Sequence, residues 1–373
     1  MAISSFRRFA QRLGQKAQRT VGSTFERYVF TETGSGLLLI VAAAIALIAA
    51  NSPWAEAYSH FWHQKLTIQV GGDGLTLTLH HWISDGLMAI FFLVVGLEIK
   101  RELVMGELNS PTKALLPIAT ALGGMLVPAL IYFLINPAGP GARGWGIPMA
   151  TDIAFALGIL LLAGRGAPLS LKVLLTALAI VDDLGAILVI AFFYTESLNM
   201  AALTPGLWAL GALLAFNLLD FRPLWLYLLA GVVLWSALLQ GGLHATLAGV
   251  LTAAFVPADS RLDKTSFLER LRVAVDYLGV TFAGEASAAE NRKPSRRRAL
   301  TDEQQSGLHF LEELSHSVQP PLQRLEERLH GFSAYFIIPL FALANAGVAL
   351  AGPADGGAPP GGGTGVALGV ALG

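Results

Sequence analysis

Long apolar runs, separated by short polar stretches, dominate the chain from residue 34 onward. A helix needs about 20 apolar residues to cross the hydrocarbon core of a bilayer, and most of these runs approach that length. The pattern predicts nine membrane-spanning helices, with a tenth beginning at Gly365. The nine are Gly36–Ala50, Ile83–Val104, Ala114–Ile135, Pro148–Ala163, Leu171–Tyr194, Ala201–Leu218, Leu224–Leu239, Gly242–Val256 and Phe332–Ala351.

Segments with other patterns divide the chain into four parts. Residues 1–33 are a basic arm that lacks the apolar stretch and cleavage site of a secretory signal. Residues 34–257 hold spans one to eight, residues 258–331 are a polar cytoplasmic insertion, and residues 332–373 hold span nine and the start of the tenth. Leu66–Leu79 alternates around Gly71–Gly74, which predicts an outer β-hairpin. Its exposed edge can pair with a second copy of the chain.

Composition supports an all-α polytopic membrane protein. The chain is 54% hydrophobic and 14% charged, whereas soluble domains carry about 25% charged residues. A net charge of −1 gives no reason to expect nucleic acid as a partner, and the absence of cysteine excludes disulfides and thiolate metal sites. Basic residues gather in the N-terminal arm and after even-numbered spans, which places the N-terminus in the cytoplasm. The basic run Arg292–Arg298 is expected to contact solvent or lipid headgroups.

Two adjacent acids, Asp182 and Asp183, interrupt the apolar run of span five. A charge at the bilayer centre costs roughly 2.5–3.5 kcal/mol on insertion scales, so we expect these acids to face a wet cavity and bind a cation. Since burial favours the protonated form of a carboxylate and a bound cation favours the ionised form, proton and cation compete. That competition is the minimum required for cation/proton exchange. The alternative is an acid pair neutralised by a buried base.

Asp152 is a second acid inside a predicted span, next to Thr151. Pro148 and Gly158 flank it and indicate a short or interrupted helix, whose unpaired backbone groups are tolerated only beside a cavity or a compensating charge. The alternative is that Asp152 and Thr151 simply cap a helix.

Further polar residues lie at the ends of spans. Glu98 and Glu102 share one helix face beside Lys100 and Arg101, which fits either ordinary ion pairs or a gating role. Asp85, at the other end of this span, is predicted to be a helix N-cap. His244, at the start of span eight, is either a pH sensor or a hydrogen-bonded interfacial histidine.

At these residues the sequence closely resembles the NhaA-type sodium/proton antiporters of bacterial inner membranes. The matching stretches follow the family's order and span most of the chain. They are Gly96–Leu103, Ala150–Gly158, Ile180–Ala186, Leu243–Gly249 and Pro339–Val348. The resemblance implies an inverted-repeat fold in which two interrupted helices cross near the midplane. It also implies a multi-pass protein of the inner membrane that exports Na+ or Li+ in exchange for H+, without a cofactor.

The resemblance also implies roles for individual residues. Asp182 and Asp183 correspond to the pair that transiently binds Na+ or Li+, and Thr151 and Asp152 to the charge compensation at the helix crossing. The pH response is implied for a group of charged residues and one histidine, namely Glu98, Arg101, Glu102, Glu326 and His244. The hairpin Leu66–Leu79 corresponds to a homodimer contact.

The sequence departs from the family in two respects. Its insertion is longer than in the compact members, and its ending is different. The family continues through three further helices, one of which carries a lysine in a GKPLG-like motif facing the acid pair. Here no lysine follows Lys293 and no arginine follows Arg328. We therefore expect a truncated antiporter whose transport is compromised, with a non-transporting membrane fragment as the alternative. An intramembrane aspartyl protease fits less well, because such enzymes use one aspartate from each of two facing helices.

Overall fold

The computed structural model describes residues 34–70, 73–106, 108–149, 169–193, 198–260, 264–289 and 301–348. Within these ranges the chain is mostly helical, with one two-stranded sheet. This confirms the predicted helical membrane fold and its small hairpin. Thr151 and Asp152, the rest of span four after Met149, and the run Arg292–Arg298 lie outside these ranges.

Two helices and the hairpin form the first part of the described chain. Helix α1 (Gly34–Ala50) and helix α2 (Ala55–Trp62) meet at an angle of 117°. Strands β1 (Lys65–Val70) and β2 (Asp73–Thr78) follow as an antiparallel pair. Val70 pairs with Asp73, so only two residues connect the strands. The predicted hairpin is confirmed, although Leu79 already belongs to the next helix.

Helix α3 (Leu79–Val104) is the longest apolar helix described. Thr78 caps its start, since the hydroxyl of Thr78 accepts a hydrogen bond from the backbone N–H of His81. The prediction that Asp85 is the N-cap is therefore wrong. Asp85 lies in a π-helical turn, Trp82–Leu87, and its backbone carbonyl accepts a hydrogen bond of 2.8 Å from the indole nitrogen of Trp235.

The helices of spans three, five, six and seven follow the predicted bounds closely, whereas span four lies outside the described residues after Met149. The central elements are α4 (Pro111–Ile135), a 3-10 segment (Pro140–Met149), α5 (Leu169–Phe193), α6 (Met200–Leu218) and α7 (Leu224–Gln240). Span eight is shorter than predicted, because helix α8 covers only Leu247–Phe255. Gly242 has a φ of +79°, a left-handed conformation that glycine adopts readily and that breaks the helix before His244.

The described parts of the polar insertion are largely helical, and they lead directly into the last described helix. Helices α9 (Lys264–Ala289) and α10 (Asp302–Val318) pack against each other. Helix α11 (Pro321–Phe332) continues through a π-helical segment, Ser333–Ile337, into α12 (Ile338–Asn345).

The helix that contains span nine does not share the predicted bounds Phe332–Ala351: within the described chain it begins before Phe332 and ends at Asn345. Pro339 has no N–H for an i−4 hydrogen bond, and its ring crowds the carbonyl of Tyr335. The chain accommodates it by a wider turn, in which the N–H of Ile338 bonds to the carbonyl of Ser333. The helix therefore runs on from α11 and ends at Asn345.

By length and composition, four described helices are apolar and long enough to cross a bilayer, and the bent pair α1–α2 makes up to five. Helix α7 is a shorter apolar helix. Leu115 and Trp208 are 70% and 77% exposed. Large apolar side chains are exposed in this way where a surface faces lipid rather than water. In the interior, α3 packs against α8, α5 and α11.

Candidate functional site

The acid pair lies near the middle of α5, between two apolar contact faces. Ile180 and Ile187 pack in one cluster with Val95 and Ile99 of α3. Val181 and Val189 pack against a second cluster, which includes Met125 and Ala129 of α4. At about 100° per residue, Asp182 and Asp183 fall outside both of these faces, on the remaining side of the helix.

The two acids differ in exposure. Asp182 is 3% exposed, whereas Asp183 is half-buried. Ala179, one turn before Asp182, is also buried, at 2% exposed. One carboxylate is thus deeply buried next to a more accessible one.

A second polar cluster is centred on Arg101, near the end of α3. Its guanidinium is 3.4 Å from the carboxylate of Glu102 and 3.7 Å from that of Glu98. It also donates a hydrogen bond to Glu326 of α11, which is 225 residues away in sequence. The structure thus brings together four of the five residues for which a pH response was predicted.

Glu326 is buried, and burial raises the pKa of its carboxyl group, while Arg101 acts in the opposite direction. One carboxylate oxygen, Oε2, has no hydrogen-bond partner among the described residues. An ionised carboxylate that is incompletely hydrogen-bonded is less stable than one in water, which agrees with the direction of the shift. On the same helix, burial and the positive charge of Arg101 lower the pKa of His330.

His244, the fifth of these residues, lies far along the bundle from Arg101, at the other end of α3. It occupies the non-helical approach to α8 and is half-buried. Its backbone carbonyl accepts a hydrogen bond from the N–H of Leu247. His81, His244 and His80 all lie within electrostatic reach of Asp85. His244 is therefore part of a separate group of titratable side chains.

Lys100 was grouped with Glu98 and Glu102 as an ion-pair or gating candidate, but its amine donates hydrogen bonds to two backbone carbonyls of the α8 end. The only sequence signal was a lysine near the end of an apolar helix. Among the described residues, no group of three or more histidine and acidic side chains has the arrangement of a metal centre.

Apolar helices with exposed apolar surfaces, one of which carries a buried acid, define a multi-pass membrane protein. The family model described as Na+/H+ antiporter 1 matches residues 26–373. The chain therefore belongs to this family of transporters, which are not enzymes in the catalytic sense, and the resemblance noted from the sequence is confirmed.

Named relatives agree with this assignment. The Na(+)/H(+) antiporter NhaA of Oleidesulfovibrio alaskensis is 50% identical over 324 residues, which cover 87% of this chain and 70% of the relative. The antiporter NhaA 2 of Syntrophotalea carbinolica is 49% identical over 87% of this chain and 72% of its own length. The antiporter NhaA of Helicobacter pylori strain P12 is 45% identical over 90% and 73%, respectively.

Proposed function

We propose that this protein is a secondary active transporter of the bacterial inner membrane, with its N-terminus in the cytoplasm, that exports Na+ or Li+ in exchange for H+. The observation that carries the proposal is the burial of Asp182 beside the half-buried Asp183 on an apolar helix of a Na+/H+ antiporter family member. Proton and cation compete for this pair, so each cation leaves as protons bind.

The remaining predicted residues support this exchange. Thr151 and Asp152 compensate the backbone dipoles at the helix crossing. The Arg101 cluster, with Glu98, Glu102 and Glu326, and the separate His244 adjust the exchange to pH. Because both acids lie on α5, a catalytic dyad contributed by two facing helices is not favoured.

The proposal predicts that Asp182→Asn and Asp183→Asn each abolish exchange. An amide cannot ionise, so it can neither release a proton nor neutralise a bound cation. The measurement is Na+- and Li+-dependent proton movement in everted vesicles, at matched protein levels. Both variants should fall to the level of vesicles without the protein.

The matched control is Asp302→Asn, which removes one carboxylate from an exposed position in α10 and should exchange like the wild type. Normal exchange in both the Asp182 and the Asp183 variants would show that the site has been assigned to the wrong residues.

A further inference from the structure

The end of α8 is held by donors from several other elements. The amine of Lys100 in α3 donates to the carbonyl of Ala254 at 2.7 Å and to that of Val256 at 2.6 Å. The side-chain amide of Asn217 in α6 donates to the carbonyl of Phe255 at 2.7 Å. The backbone N–H of Leu322 in α11 donates to the carbonyl of Pro257 at 3.1 Å.

These bonds satisfy carbonyls that a helix cannot pair by itself. The last four carbonyls of any helix lack intrahelical partners, and the negative end of the helix dipole favours a cation. Helix α8 has only nine residues, and isolated helices shorter than about 12–15 residues are marginal. Its conformation therefore depends on contacts with neighbouring helices.

The body of α8 is already packed closely on α3. A Cβ added to Gly249 of α8 would lie 2.1 Å from the carbonyl oxygen of Ala89. A Cβ added to Gly96 of α3 would lie 2.8 Å from the Cβ of Ala253. Leu247 and Val250 of α8 also join the cluster that contains Ile180 of α5. Lys100 thus adds hydrogen bonds at the end of the α3–α8 interface. This interface also contacts α5, the helix that carries Asp182 and Asp183.

We infer that Lys100 is a positioning residue that fixes the C-terminal end of α8 to α3, so that the two helices move as one body during transport. Arg101, the next residue, joins α3 to α11 through Glu326. The last turns of α3 therefore connect α8 and α11. The statement about transport rests on the exchange proposed above, whereas the tie between α3 and α8 does not.

The absence of cysteine from the chain allows a direct test. Ala258, just beyond α8, is 8% exposed, so a cysteine there should react slowly with a maleimide. In the purified full chain, Lys100→Met should raise the labelling rate of Ala258→Cys roughly tenfold, the factor that corresponds to about 1.4 kcal/mol. Lys100→Arg keeps a charged donor and should keep labelling slow.

Lys113→Met serves as the charge control, because it removes the same charge from the start of α4. If Lys100→Met cannot be purified, Lys100→Gln, which lacks the charge and the reach of lysine, replaces it with the same expected direction. Unchanged labelling in the Lys100 variant, or an equal rise in Lys113→Met, would overturn the inference.

Transport supplies the second readout. The maximal rate of Na+-dependent exchange should fall in Lys100→Met while the apparent Na+ affinity stays within about twofold of the wild type, because the acid pair is untouched. A loss of affinity at full maximal rate would contradict concerted movement of α3 and α8. The labelling rates test whether Lys100 holds α8 to α3, and they do so even if the acid-pair variants show that the proposed function is wrong.

Discussion

Among the described residues, Asp182 and Glu326 are the buried acids, and Asp182 lies near the middle of the apolar helix α5. An ionised carboxylate buried among apolar side chains is costly unless a proton or a cation accompanies it. Asp182 is buried and its neighbour Asp183 is half-buried. In the exchange proposed above, a proton or a cation at the pair would offset part of this cost.

Glu326 gives a pH-dependent prediction at the residue scale. Because burial raises the pKa of Glu326, the folded protein holds a proton that the unfolded chain releases between the ordinary and the raised pKa. The stability contributed by Glu326 is therefore full below its ordinary pKa and is lost as pH rises through the raised value. We expect the melting temperature of the wild type to fall relative to Glu326→Gln as pH increases from 5 to 8.

Neighbouring charges bear on this measurement. Arg101, Glu102, Glu327 and His330 surround Glu326 or share its cluster, and all of them remain in the variant, so the comparison isolates one carboxyl group. Glu303→Gln removes a carboxylate from an exposed position of α10 and serves as the control. The prediction would be refuted if the difference in melting temperature between the wild type and Glu326→Gln stayed constant over this pH range.

Local sequence was informative about some residues and silent about others. The acid pair stands out because charges are rare in apolar runs, and Glu98 and Glu102 stand out because of their helical spacing. The bond between Arg101 and Glu326 spans 225 residues, and no local pattern reports such a contact; Glu326 was found through family resemblance. Asp85 was misplaced because a helix start was inferred from hydropathy, whereas Thr78 provides the cap.

At the scale of elements, α3 is the helix around which the described bundle is packed. It contacts α8 more extensively than any other helix, and it also packs on α5 and α11. The close approach depends on small residues, as is usual between membrane helices. Gly249 faces backbone atoms, since an added Cβ would lie 2.1 Å from the carbonyl oxygen of Ala89 and 2.6 Å from the backbone nitrogen of Leu93.

We therefore expect Gly249→Ala to separate α3 from α8 and to cost about 1–3 kcal/mol, the usual range for overpacking. Its melting temperature in detergent should fall clearly below that of the wild type. Gly123→Ala in α4 is the matched control, because no atom lies within 4 Å of its added Cβ and alanine favours a helix. Equal melting temperatures for the two variants would show that the contact is not tight.

The elements that hydropathy located well are those whose whole length is apolar. Helices α4, α6 and α7 begin and end within three residues of the predicted bounds. Span eight was predicted too long, because glycine and alanine count as apolar while Gly242 breaks the helix. Span nine was misplaced, because the π-helical turn before Pro339 lets an amphipathic helix run on into an apolar one.

At the scale of the whole molecule, the hairpin is the described element best suited to join two copies. A two-stranded hairpin is marginally stable alone, and this one is attached to the bundle by a hydrogen bond from the indole nitrogen of Trp82 to the carbonyl of Leu66. Its strand register places Leu66 and Ile68 opposite Leu77 and Leu75. One face of the hairpin is thus apolar, and Leu66 and Ile68 are 45% and 49% exposed.

We propose that this apolar face contributes to a homodimer, and we expect Ile68→Lys to lower the dimer fraction, because a charge in the contact would have to be desolvated. Thr67→Lys places the same charge on the opposite, polar face, where Thr67 pairs with Thr76, and should leave the dimer intact. Dimer fractions can be compared by native mass spectrometry in mild detergent. If the dimer fraction fell equally in both variants, the two copies would pair through the strand edge, which both faces border. If it fell in neither variant, the hairpin would not be part of the contact.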